Sequence, residues 1–185
     1  MNKNISKQFH NLASTDDKIR LEALQGLLRL TESKVDWVYE VWDQLLEKLD
    51  HENSYQRSIG ILLLCNLAKS DTRDCLEPVL DRLLSHTRDE KFITSRQCIQ
   101  NIWKAAATNP ANREKVLKHL EARFVECGGE KHYNLLRQDI IQSMTALNRL
   151  EGGNGLLSRI RALILREPDP KNRKKYEVLL RELPA

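Results

Sequence analysis

The five histidines, four cysteines and 26 carboxylates of this 185-residue chain are the first places to look for a metal centre or an acid–base pair. His51-Glu52 is the one adjacent pair of metal-ligating type; His10, His86, His119 and His132 have no glutamate beside them. A metal centre needs several ligands that converge. The pair therefore reads as a turn in which His51 caps a helix start, and no metal is expected. Cys65, Cys75, Cys98 and Cys127 form no C-x-x-C pair and have no histidine at ligand spacing. Cys65 and Cys98 fall in apolar helical stretches, where a reduced thiol behaves as a small hydrophobe. No G-x-S-x-G, G-x-x-x-x-G-K-[ST] or H-E-x-x-H occurs. Gly152-Gly153-Asn154-Gly155 has neither a strand before it nor a suitably placed lysine after it, so it reads as a helix connector. Asp16/Asp17, Asp71/Asp74 and Asp89/Glu90 stand in turns, where acids favour the positive end of a following helix. No catalytic set emerges; the expectation is a protein that is not an enzyme and takes no cofactor.

The elements that carry these residues are helical. Glycine (7) and proline (5) are few and cluster at apparent turns, and long stretches free of both favour helices. Residues 50–69 show the organising pattern: an acid, a turn at Glu52-Asn53-Ser54, and Arg57 at the head of an apolar helix. Aligning Arg20, Arg57, Arg96, Arg137 and Arg173 gives separations of 37, 39, 41 and 36 residues. Each opens an apolar run, such as Leu21, Ala23, Leu24, Leu27 and Leu28, or Ile59 and Ile61 to Leu64; the fifth is Tyr176, Leu179, Leu180 and Leu183. Between them, residues 35–49, 76–84, 116–124 and 156–164 have apolar side chains three and four apart, as amphipathic helices do. A helix near residues 5–12 completes the first pair. Ser14-Thr15-Asp16 and Asn53-Ser54 have the side chains that cap helix starts. Ten helices in five pairs follow, in one domain over 1–185 with units near 4–31, 34–69, 72–108, 111–149 and 153–183. Gly26 and Gly60 lie mid-helix, where close helix approach is a reason to tolerate them.

A period near 40 residues with two helices per unit resembles the HEAT and armadillo class of α-solenoids, over roughly residues 5–183. In the three central units an acid precedes the arginine by seven residues: Asp50 and Arg57, Asp89 and Arg96, Glu130 and Arg137. HEAT repeats are similar, with an acid in the turn and a basic residue early in the second helix, forming a ladder between units. Ala13 and Arg166 stand at the acid position in the first and last units, and Pro78 alone stands for the proline that HEAT repeats often carry in the first helix. The resemblance implies an all-α, right-handed α–α superhelix of about five helix pairs whose second helices line a concave binding surface. Iron-binding hydroxylases built on HEAT repeats use several His-Glu dyads, and this chain has one.

The expected function is a cytoplasmic, non-catalytic scaffold that binds a peptide or partner protein on that wall. Nothing in the opening MNKNISKQFHNLAST resembles a secretory signal, and no run of ~18 apolar residues suits a membrane span. Positions one and five after each arginine, continued along the helix, should share an exposed stripe. Its polar members are Gln25, Arg29, Asn66, Gln97, Asn101, Lys104, Gln138, Gln142 and Arg149. The alternative partner is nucleic acid. From Arg149 onward nine Lys/Arg face five Asp/Glu, an excess equal to the whole chain's +4. Arg159, Arg161, Arg166, Lys171, Arg173, Lys174 and Lys175 would supply phosphate or acidic-partner contacts. DNA-repair glycosylases on HEAT-like repeats also need exposed aromatics. Trp42 and Trp103 fall on apolar stripes, which leaves Trp37 as the partly exposed candidate.

Overall fold

The computed structural model describes residues 1–152 and 154–181, with the side chains of Glu151 and Arg181 left aside. Gly153 and Leu183, both used in the sequence reading, lie outside the described residues. Among the described residues the chain is all α-helical, with short 3-10 turns and no strand. It divides into two compact units, Met1–Asn101 and Ile102–Ala185.

The first unit holds α1 (Lys3–Asn11), α2 (Asp17–Leu30), α3 (Val38–Leu49), α4 (Ser54–Leu67), α5 (Leu80–Ser85) and α6 (Phe92–Asn101). The expected caps form: Asp16 Oδ1 accepts from Lys18 N at 2.8 Å, and Asn53 Oδ1 accepts from Tyr55 N at 2.8 Å. α4 is the hub and packs against α2, α3 and α6. Its sequence shows why: Ile59, Ile61, Leu63, Leu64, Cys65 and Leu67 are all fully buried, so neighbours must cover it on nearly every side.

The two mid-helix glycines are explained differently. A Cβ on Gly60 would meet Leu45 O and Lys48 Cβ, each at 3.0 Å, so α3's own backbone limits the space. A Cβ on Gly26 would meet only the flexible end of Gln8. Gly60→Ala is therefore expected to destabilise the unit by ~1–3 kcal/mol, overpacking outweighing the gain in helix propensity. Gly26→Ala should be neutral or stabilising by up to ~1 kcal/mol. Urea unfolding of the two variants checks the contrast, and equal losses would contradict it.

The second unit holds α7 (Trp103–Ala106), α8 (Pro110–Glu126), α9 (Tyr133–Glu151), α10 (Asn154–Leu165) and α11 (Pro170–Arg181). α9 packs against α7, α8, α10 and α11. Thus the single helix expected after Arg96 is interrupted at Ile102, where no glycine or proline signals a break. Tyr176, read as an apolar residue, is buried edge-on to Phe124 and donates its hydroxyl to Asn134 O at 2.9 Å. Burial pushes its phenol well above the ordinary value.

Three of the five aligned arginines share a local job. Arg20 donates to Ser14 O, Arg57 to His51 O and Arg173 to Glu167 O, each reaching six residues back to a carbonyl of the preceding turn. In the first unit a ladder rung follows: Arg57 clamps Asp89 with Nε and Nη2 at 2.7 and 2.8 Å. In the second, Arg137 Nη1 reaches the buried Glu167 at 2.9 Å while its Nε donates to Phe124 O. The last acid is thus Glu167, one position after Arg166, where the sevenfold spacing places no acid. Asp50 pairs instead with Arg82, and Glu130 with Arg123.

Candidate partner-binding groove

The packing of α4 between α2 and α6 sets the three second helices of the first unit side by side. Their outward faces form a groove of about 540 Å³. Its floor is Leu24, Ile59 and Leu62, and its walls include Leu21, Tyr55, Phe92 and Ile93. Leu21, Tyr55 and Ile93 are 46%, 50% and 70% exposed, large apolar surface in one place rather than scattered. Gln97 also lines the groove, and its Oε1 is shielded from solvent with no hydrogen-bond donor. Glu90 and Lys91 give one charge of each sign. The Arg20 guanidinium stacks on the Tyr55 ring at 4.6 Å.

The stripe predicted from sequence is only partly placed here. Gln97 lines the groove, and Asn101 is half-buried and donates to Gln97 O at 2.9 Å. Gln25 and Arg29 are exposed on α2 but are not among the groove's lining residues. Asn66 is a correction. It is buried, and its amide donates to Leu28 O at 3.3 Å and to the buried Thr31 hydroxyl at 3.1 Å, tying the ends of α4 and α2 together. Leu21, Ser58 and Gln97, one residue after their arginines, and Leu62, five after, line the groove, whereas Gln25 and Asn101, five after theirs, do not. Selecting amides discarded Leu21 and Leu62, which sequence reasoning counted as core; Tyr55 and Ile93 precede their arginines and were missed.

In the second unit Lys104 and Gln138 are half-buried, while Gln142 and Arg149 are exposed. The Lys104 ammonium lies 5.7 Å from the Trp103 ring, which is itself half-buried. The basic run is partly consumed by structure. Arg159 donates to Glu121 at 2.6 Å and Glu114 at 2.8 Å; its hydrogen bonds to both carboxylates outweigh burial and hold its charge firmly. Arg173 serves the Glu167 carbonyl. Arg161, Arg166, Lys171, Lys174 and Lys175 remain exposed.

Other expected features resolve in detail. Trp37 is a second correction: it is buried, with Phe9 of α1 edge-on at 5.8 Å, so it is not the exposed aromatic that base stacking would need. Trp42 is buried, as its stripe predicts. His51 Nδ1 accepts from Asn53 N at 3.0 Å within the turn, so the residue that caps α4 is Asn53 and not His51. Cys65, Cys98 and Cys127 are buried, and burial pushes the Cys98 and Cys127 thiols upward, away from nucleophilic character. Among the described residues no helix is long and apolar enough to cross a membrane.

No family model matches the chain, and no curated protein does. It is similar to two solved structures, each described as the crystal structure of an engineered protein from the Northeast Structural Genomics Consortium. One has a TM-score of 0.57 at 16% identity, covering 97% of this chain and 80% of the other. The second has a TM-score of 0.59 at 12% identity, covering 97% and 78%. At such identities the similarity is one of fold, which is all-helical.

Proposed function

We propose that the chain is a non-catalytic, cytoplasmic scaffold of the HEAT or armadillo type that receives an extended peptide in the groove across α2, α4 and α6. The observation that supports this most is the meeting of Leu21, Tyr55 and Ile93 with the unpartnered Gln97 Oε1 in one apolar groove. An orphan acceptor among apolar walls calls for an N–H donor flanked by apolar side chains. A helical ligand has already spent its backbone N–H groups internally, whereas an extended segment still has them free. The balanced rim charges suit a peptide of little net charge. The arginine repeat supports the solenoid assignment, because Arg20, Arg57 and Arg173 perform the same local task.

Peptides selected from a random display library are expected to carry closely spaced apolar residues. Ile93→Glu and Tyr55→Glu, both at exposed positions, should each weaken binding by at least ~10-fold, as removal of an anchoring contact does. Their melting should stay near that of the native chain. Selected peptides that bind both variants as tightly as the native chain would overturn the reading. Nucleic-acid binding has less support, because Arg159 and Arg173 are already engaged.

A further inference from the structure

A second cavity of the first unit, about 500 Å³, opens at the turns that start α2 and α4. Lys48 projects into its lining from α3, Arg20 from α2 and His51 from the α3–α4 turn. Lys48 is 9% exposed, and the partner of its ammonium is the neutral Oε1 of Gln56. Gln56 is fixed in turn by donating to Leu12 O at 2.8 Å. A buried ammonium has three N–H groups and is costly to desolvate without a counter-charge; here one N–H is satisfied, by a neutral group. Burial accordingly lowers the Lys48 pKa, with the charge of Glu47 opposing.

Arg20 adds to the imbalance. Its Nη1 donates to Ser14 O at 2.7 Å and its Nη2 to Asp17, yet its Nε–H is shielded from solvent and has no acceptor. His51 Nδ1 accepts a backbone N–H, which places the proton of the neutral ring on Nε2, a third donor. The Asp17 carboxylate is the acid in the lining; it is 87% exposed and already serves Arg20. With neutral His51 the lining side chains therefore carry a net charge of +1, from Lys48 and Arg20 against Asp17.

We propose that this pocket binds a tetrahedral oxyanion, the phosphoryl group being the class it fits. Donors on three separate elements, the Lys48 ammonium of α3, the Arg20 guanidinium of α2 and His51 Nε2 of the turn, suit oxygens pointing in three directions. A planar carboxylate has two oxygens in one plane and cannot answer donors on three separate elements at once. The anion supplies the counter-charge that Lys48 lacks.

The test titrates the full chain with inorganic phosphate, and separately with phosphoserine and acetate, at constant ionic strength, following amide and histidine ring resonances. Phosphate is expected to shift residues 14–17 and 51–54 saturably, with acetate at least ~10-fold weaker. Lys48→Met should lower phosphate affinity at least ~10-fold, while its melting midpoint stays equal or rises as a buried charge is removed. His51→Leu, at an exposed turn, should lower it several-fold and provides the same readout should Lys48→Met not fold. Phosphoserine binding more tightly than phosphate would point to a phosphorylated partner; equal binding would point to the free anion. Either supports the site. No saturable shift, acetate binding as tightly as phosphate, or unchanged affinity in the variants that fold would overturn it.

Discussion

Leu64→Asp is expected to abolish the cooperative unfolding transition of the first unit at neutral pH. Leu64 has no exposed surface and belongs to the most apolar helix of the chain, α4, which α2, α3 and α6 enclose. Truncation to alanine at such a site costs ~2–5 kcal/mol from lost transfer energy and the cavity left behind. A carboxylate buried there adds a desolvation penalty of several kcal/mol. The sum matches the entire ~5–15 kcal/mol that holds a domain folded. Acid should restore part of the structure, since a buried carboxyl prefers its neutral form and its folded-state pKa rises above the unfolded ~3.9. The penalty is therefore full above that raised value and is relieved as pH falls toward the unfolded one. Urea titrations followed by circular dichroism at pH 7 and near pH 4 provide the check. A native-like melt at pH 7 would remove Leu64 from the core.

How much of this was legible in the sequence depends on whether the physics acted locally. The arginine register was readable because Arg20, Arg57 and Arg173 each hold a carbonyl six residues back, a constraint confined to one turn. Glu167 was missed because the carboxylate reaches Arg137 from a backbone position one residue later than in the central units. Trp37 was misread for a simpler reason: it precedes the first turn of α3, so a helical stripe says nothing about it, and Phe9 covers it from α1. Lys48 looks like a solvated lysine on an amphipathic helix; only the close crossing of α4 at Gly60 buries it. The groove shows the deepest limit. Leu21 and Leu62 on one side and Asn66 on the other look like core and ligand by type, yet tertiary packing reverses the roles. An apolar side chain at a helix surface carries no mark in the sequence of whether a neighbour covers it.

The other large effect is expected at the Arg57–Asp89 clamp. Asp89 has 4% of its side chain exposed, and accepts from Arg57 twice, from Lys91 N at 2.9 Å and from His86 Nδ1 at 3.3 Å. Burial pushes its carboxyl up, and the Arg57 hydrogen bonds and charge, with those from Lys91 N and His86, outweigh it and leave the pKa below the ordinary value. Removing one partner of a buried pair strands the other, so Arg57→Met should destabilise the first unit by ~3–5 kcal/mol at pH 7. It also leaves His51 O and Glu52 O without their donor, which loosens the turn before α4. The native pair stabilises fully above the unfolded carboxyl value of ~3.9 and loses that contribution as pH falls through its lower folded value. In Arg57→Met the stranded carboxyl has a raised pKa, so protonation relieves the variant as pH falls from that raised value toward ~3.9, and below ~3.9 the native pair itself weakens. The stability gap must therefore narrow between pH 6 and pH 3. Adding Asp89→Asn to Arg57→Met keeps an acceptor for Lys91 N without the charge, and should recover ~1–2 kcal/mol. A gap that is constant with pH, or a double variant no better than Arg57→Met alone, would mean that Arg57 acts through the turn carbonyls and not through Asp89.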